Sequence, residues 1–430
     1  MWQFKLFTKD TLLIFFCTIF TAILYYRDFA YTDFNKMYLV VMVLATAMIL
    51  DYKHVVYLLC FLFPLSCGIP GNYIYPLMCL LLVAKDKELS FKKLAFFAAI
   101  FFCEIAHYAF YDFNIRVAEV VGYGSFLFML SYLVGDRTED VDYAKCLTYF
   151  SIGVAIVLLA IVINTELMMS QIISPMNESV RLGDTKAFEE FEDERMKFSL
   201  NANTIGYYSI AAISCLLVLL HYKKISLILF LPIFAISFYG GVLSISRTWA
   251  ILMIVSLIVY LRLQQRNQFR GLMLVGILVL GAIYFLSKNS EMLEFFIARF
   301  TEDSTNLETA GGRTIIFSKY NEYISNNLIA LIAGTGAVYY GEATQIAGAT
   351  HNAIQQIVVS YGLLGLFLFL YAFIKSVKKN LNKNELVTLL PICMTVLFVQ
   401  TIQFLNPYFL MCPIVVAFFA LKMGKVQNRL

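Results

Sequence analysis

The sequence predicts an all-α polytopic membrane protein of about 12–14 transmembrane helices, with two sizeable extracytoplasmic loops and both termini in the cytoplasm. Composition, the length of the apolar runs and the placement of basic residues each point there. Hydrophobic residues make up 60% of the 430 and charged residues 14%, against about 45–50% and about 25% in soluble globular chains. Mean hydropathy is +0.75. That balance excludes an ordinary soluble enzyme, a disordered chain, a coiled coil and a disulfide scaffold. A scattered net charge of +4 is no nucleic-acid footprint, so the lipid bilayer and not a nucleic acid is the expected surrounding. The runs lack strand-period alternation, which excludes an outer-membrane barrel.

A helix needs about 20 apolar residues to cross a bilayer, within about 17–25. Lys5 and Lys9 precede the first run, 11–26. No small-residue cleavage site follows Tyr25-Tyr26, so the run reads as a retained signal anchor. Further runs fall at 37–50, 54–67, 70–84, 94–110, 118–134 and 146–163, then at 204–220, 225–243, 248–262, 271–286, 352–374, 386–403 and 405–421. Cys67-Gly68-Ile69-Pro70-Gly71 interrupts 54–84, which is either two crossings or a re-entrant hairpin covered by other protein. With the N-terminus inside, 21 of the 33 Lys and Arg fall on the inner side and 12 on the outer, against 9 and 19 Asp and Glu. This asymmetry sets the orientation.

The chain accordingly divides into an N-terminal transmembrane bundle (1–163), a first large extracytoplasmic loop (164–203), central transmembrane helices (204–286), a second large loop (287–351) and C-terminal transmembrane helices (352–430). Long connections usually carry function, so the chemistry is expected on the outer side. Neither loop has a cysteine, and the nine cysteines read as small buried hydrophobes.

The first loop carries the acidic run Glu189–Glu194, a solvated face. Arg195 follows at the membrane edge, where a charge wants a partner. Asn201 is placed to cap the next helix. Arg247 sits in the tight outer turn Ser244-Ile245-Ser246-Arg247-Thr248-Trp249. It either snorkels to headgroups or points inward and binds an anion, for which its planar fork suits phosphate. In the second loop, 291–300 reads as an interfacial helix. Gly311-Gly312-Arg313 reads as a turn opening a helix, and Gly334-Thr335-Gly336 as its end. Thr350-His351-Asn352 then meets the next span. Tyr320, Tyr339 and Tyr340 lie here as sugar platforms or interface anchors. Within a span, Glu104 and His107 share one face; they satisfy each other, line a polar cavity or mark a proton path.

Taken in order, Gly312-Arg313, Gly334-Thr335-Gly336, His351-Asn352 and Tyr361-Gly362-Leu363-Leu364-Gly365 resemble the signature region of the O-antigen polymerase and O-antigen ligase superfamily. Ser246-Arg247-Thr248 is similar to its earlier Ser-Arg step, and Arg195, Asn201-Ala202-Asn203 and Gly206 to its entry into the preceding span. The resemblance covers about residues 190–375. Leu331-Ile332-Ala333 stands where the family commonly has a proline.

The resemblance implies a bundle similar to lipid-sugar glycosyltransferases. It implies a donor oligosaccharide on undecaprenyl diphosphate, no cofactor and no metal, and a bacterial inner (plasma) membrane location. It implies Arg313 and Arg247 as catalytic with His351, and Arg195, Asn201, Asn203, Asn352, Gly334 and Gly336 as substrate-binding. The chemistry of the residues agrees. A departing lipid diphosphate develops negative charge, which fixed arginines stabilise. An imidazole, with an unperturbed pKa near about 6.5, takes a proton from a sugar hydroxyl at neutral pH. Two outer loops favour a polymerase, with a chain-length regulator as candidate partner. A ligase moving polymer to lipid A core or protein shares the donor site. A lipid-sugar flippase or transporter finds support in Glu104, His107 and the break at 67–71 alone.

Overall fold

The computed structural model describes residues 8–29, 35–85, 104–107, 117–135, 141–171, 200–244, 246–263, 276, 313–338, 340–346, 350–382, 385–402, 405 and 408–427. Their helices are α1 (Lys9–Phe29), α2 (Lys36–Ile49), α3 (Tyr52–Leu65), α4 (Gly71–Lys85), α5 (Val117–Gly135), α6 (Tyr143–Gln171), α7 (Ala202–His221), α8 (Leu227–Leu243) and α9 (Arg247–Leu263). After the second long segment come α10 (Arg313–Asn326), α11 (Leu328–Ala333), α12 (Tyr340–Thr344), α13 (Ala353–Asn380), α14 (Leu390–Phe398, with a 3-10 turn at each end) and α15 (Cys412–Gln427). No strand occurs among the described residues. This is an all-helical polytopic membrane protein. Four described helices, α1, α6, α7 and α13, are long and apolar enough to cross a bilayer, and shorter apolar helices accompany them. The expected runs 94–110 and 271–286 lie largely outside the described residues.

The break at 66–70 separates two helices, α3 and α4, as the Gly and Pro residues there require. Side chains from His54 to Leu65 of α3 are all buried. A helix apolar all round belongs inside other protein, and α3 packs along α6. Their approach depends on Gly153: a Cβ there would stand 2.5 Å from the Phe61 carbonyl oxygen. The most deeply buried of the long helices is α7, enclosed by α6, α8, α9 and α14. Lipid tails give helices no hydrophobic reason to associate, so packing and interhelical hydrogen bonds must do it. One such chain joins three helices. Trp249 Nε1 of α9 donates to Ser209 Oγ of α7 at 2.8 Å, and Ser209 Oγ donates to the Ser237 carbonyl of α8 at 2.6 Å. Gly241 leaves the space for that indole, 2.2 Å from where a Cβ would be.

At one end of the bundle, lysines close helix C-termini, where carbonyls lack helical partners and the macrodipole favours a cation. Lys9 donates to the Ile49 carbonyl. Lys85 donates to Leu50 O at 2.6 Å, Lys422 to Leu133 O at 2.7 Å and Lys425 to Lys379 O at 2.6 Å. Lys145 pairs with Asp10 at 2.8 Å, and His54 Nε2 lies 3.2 Å from the same carboxylate. The start of α1 and the end of α15 are therefore on the same face.

Among the described residues six cysteines are buried, as expected of small hydrophobes; Cys393 is exposed and Cys67 half-buried.

Candidate active site

Local sequence explains each corner of the opposite end. Asn201 caps α7, its side chain accepting from Asn203 N–H at 2.9 Å. One turn further, a Cβ on Gly206 would stand 3.2 Å from Ser246 Cβ, Trp249 Cβ and Phe398 Cζ. The missing side chain thus brings the entry of α7 against the start of α9. Ser246 caps α9, its Oγ accepting from Trp249 N–H at 3.4 Å. Arg247 follows as the first helical residue, half-buried. A cation there opposes the helix macrodipole, so helix stability does not account for it.

The expected single loop helix is two. Asn327 interrupts it, because its side chain accepts from Ala330 N–H at 3.1 Å and starts α11 afresh. Arg313 is the first residue of α10 and is placed by its backbone. Gly334, at φ +80°, ends α11. The turn Gly334-Thr335-Gly336 then lies directly on α13, which is broken at Gly362 with φ +67°. That break interrupts the helical ladder, leaving the Val359 and Ser360 carbonyls for other donors. Thr335 N–H donates to Val359 O and Gly336 N–H to Ser360 O, both at 2.9 Å. Backbones touch because Gly334 and Gly362 have no side chain. A Cβ on Gly334 would stand 2.3 Å from the Ser360 carbonyl, and one on Gly362 2.1 Å from Ile332 O. Leu331-Ile332-Ala333 stays helical where the family commonly has proline.

Beneath this clasp lie Glu104 and His107, both buried. Both hydrogen-bond to residues of the clasp. Tyr361 O–H donates to Glu104 Oε1 at 2.7 Å, and Ala337 N–H donates to both Glu104 oxygens at 3.3 Å. His107 Nε2 donates to the Ala333 carbonyl at 2.9 Å, which requires the proton on that nitrogen. Tyr123 O–H lies 2.9 Å from Tyr361 O–H.

His351 stands just before α13, half-buried, with φ +48°. A side chain in the left-handed region costs roughly 1–2 kcal/mol, and such outliers cluster at functional sites. Asn352 caps α13, accepting from Gln355 N–H at 2.9 Å, so its side-chain oxygen is committed to the helix. Gln355 Nε2 donates to Phe317 O at 2.9 Å and Asn321 Oδ1 at 3.0 Å, tying α13 to the helix that Arg313 opens. Gln356 Oε1 accepts from Leu405 N–H at 2.8 Å. These contacts connect the entry of α7, the start of α9, α14, the start of α13 and α10 in one continuous series. Arg247, His351 and the Arg313 helix thereby belong to the same end of the bundle.

Tyr320 and Tyr340 are neither open sugar platforms nor interface anchors. Both are buried with Ile324 and Val359, ring centroids 6.1 Å apart. Burial pushes both phenols above the usual range, the Thr344 hydrogen bond working the other way on Tyr320. Arg195, Tyr339 and the acidic run lie outside the described residues. Among the described residues, no three His, Cys, Asp or Glu side chains gather as a metal site.

Residues 232–370 match the O-antigen ligase family model. This match agrees with the resemblance to the O-antigen polymerase and ligase superfamily. The O-antigen ligase region holds Arg247, Arg313, the Gly334–Gly336 turn, His351, Asn352 and Gly362. Asn201, Asn203 and Gly206 precede it, as do Glu104 and His107. The family supports O-antigen polymerase or ligase activity and a glycosyl-transfer type of enzyme, with a lipid-linked polysaccharide substrate, in a bacterial membrane. No curated protein and no solved structure matches the chain.

Sequence reasoning missed the partners of Glu104 and His107. Their spacing marked the pair, but the clasp residues they bond, Ala333, Ala337 and Tyr361, lie more than two hundred positions away.

Proposed function

We propose that the protein polymerises oligosaccharide repeat units carried on undecaprenyl diphosphate, for O-antigen, capsule or exopolysaccharide. The transfer occurs on the extracytoplasmic side, without metal or cofactor. What supports this reading is that two helices opening with arginine, and His351 with its left-handed backbone, lie within the O-antigen ligase region at one end of the bundle. Arg247 and Arg313 sit at helix N-termini, where N–H groups and the dipole already favour an anion. There they bind the diphosphate and stabilise the charge it develops as it leaves. On the resemblance alone, Arg195 is assigned to binding the same diphosphate. His351 accepts the proton of the attacking sugar hydroxyl. Asn352 fixes the helix start that carries His351. Asn201 and Asn203 line the substrate entry. Gly334 and Gly336 allow the loop to lie close enough to define its wall.

The lysine-closed end of the bundle faces the cytoplasm, in line with the excess of inner basic residues. Both termini are then cytoplasmic. The five segments divided at 163, 203, 286 and 351 keep their proposed roles, with the two long loops outside. Those two loops favour the polymerase, and a chain-length regulator docks there. The family's own description favours a second reading, transfer of finished polymer to lipid A core or protein.

The test is the surface polysaccharide profile of a deletion strain complemented with wild type, His351→Ala or Arg313→Ala. Collapse to single attached repeat units, rescued by wild type alone, supports the polymerase. Long polymer retained on the lipid carrier supports the ligase. Lipid-linked repeats trapped on the cytoplasmic face would overturn both.

A further inference from the structure

We propose that Glu104 and His107 are positioning residues for the transfer reaction. From a part of the chain outside the family match, they pin the Gly334–Ala337 turn onto the break in α13, and so set where the α10–α11 arm stands relative to His351. The inference rests on the function proposed above for its activity readout, but the pinning itself does not.

The geometry carries it. A buried carboxyl persists only where donors satisfy it, and Glu104 is fully buried. Its donors come from both sides of the clasp: Tyr361 O–H at 2.7 Å from α13 and Ala337 N–H at 3.3 Å from the turn. His107, one helical turn on, holds the Ala333 carbonyl at the end of α11 at 2.9 Å. The fit leaves no slack. A Cβ on Gly336 would stand 3.2 Å from His107 Cβ and 3.3 Å from Glu104 Oε2. Tyr361 closes the first half of α13, and Asn352 opens it. Nine helical steps separate them, about 14 Å. Glu104 therefore acts on the reacting groups through a short rigid rod and does not touch them. A displacement of about 1 Å at such a support is enough to cost a large factor in rate.

The test uses the full-length protein in lipid nanodiscs. Hydrogen exchange at the Thr335, Gly336 and Ala337 amides is compared in wild type, Glu104→Leu and Glu104→Gln, alongside chain elongation on lipid-linked repeats. In Glu104→Leu these amides should exchange at least about tenfold faster. The kcat should fall by at least about tenfold, while the KM for the lipid-linked donor stays within about threefold. Glu104→Gln keeps an acceptor oxygen and should restore most of both. His107→Ala removes one hydrogen bond and should give a weaker version of the same change, which serves if Glu104→Leu fails to fold. Unchanged amide exchange in a folded variant overturns the pinning. Faster exchange with unaltered kcat overturns the positioning role, as does a loss confined to donor KM. A wild-type protein inactive on the lipid-linked donor fails the functional reading instead, and the exchange measurement then decides the pinning alone.

Discussion

His351 combines a left-handed backbone, φ +48°, with a side chain for which we propose proton transfer, so stability and activity should separate there. In His351→Gly the backbone conformation becomes free of the roughly 1–2 kcal/mol it costs a side chain. Purified His351→Gly should melt no lower than wild type, yet elongate at least about 100-fold more slowly, the scale of a lost general base. Equal loss of both would mean that the imidazole is structural. Arg247 allows a second separation. Arg247→Lys keeps the charge and loses the planar fork. It should retain insertion and lose at least about tenfold in elongation; full activity would show that Arg247 serves only as a point charge or headgroup anchor.

At the scale of elements, the clasp between the Gly334–Gly336 turn and α13 is a contact of backbone on backbone. Gly362→Ala would place a methyl 2.1 Å from Ile332 O, and Gly334→Ala one 2.3 Å from the Ser360 carbonyl. Each should lower the melting temperature and abolish elongation together. Gly341, within α12, has nothing within 4 Å of its Cβ position, and Gly341→Ala should be neutral or stabilising by up to about 1 kcal/mol. If all three behaved alike in a thermal-shift assay, close approach would not be what these glycines provide. The cap of α9 gives a milder case: Ser246→Ala should cost about 1 kcal/mol. Helices of this chain were legible because apolar runs of bilayer length have few alternatives. The run at 204–220 became α7, Ala202–His221, and the run at 225–243 became α8, Leu227–Leu243. The division of the loop helix at Asn327 was less legible, since an Asn–Leu step inside a helical pattern is ordinary until the Asn side chain turns to cap a new helix start.

For the whole molecule, the shared face of the two termini yields a topological prediction. A green fluorescent protein fused after Leu430 should fluoresce, and an alkaline phosphatase fused there should be inactive. The reverse would invert the orientation and move the proposed site to the cytoplasmic face, where its lipid-linked donor would not be presented. The lysines at that face are helix-closing groups as well as topological signals. Replacing Lys422 by Met removes a donor to Leu133 O, held at 2.7 Å, and a cation above the Tyr143 ring. It should destabilise the protein by a few kcal/mol at most and leave kcat unchanged.

The sequence by itself determined the all-helical membrane class, the approximate span positions, the basic-residue asymmetry and the motif residues Arg247, Arg313, Gly334, Gly336, His351 and Asn352. Those properties depend on hydropathy over about 20 residues or on short local patterns. Only the tertiary structure decided that Glu104 and His107 hold the Gly334–Ala337 turn. It alone showed that Tyr320 and Tyr340 are core, and that the break at Gly362 receives that turn. The reason is distance along the chain. Ala337 and Tyr361 reach Glu104 across 233 and 257 residues, and no local period encodes a hydrogen bond that only the packed bundle brings within reach.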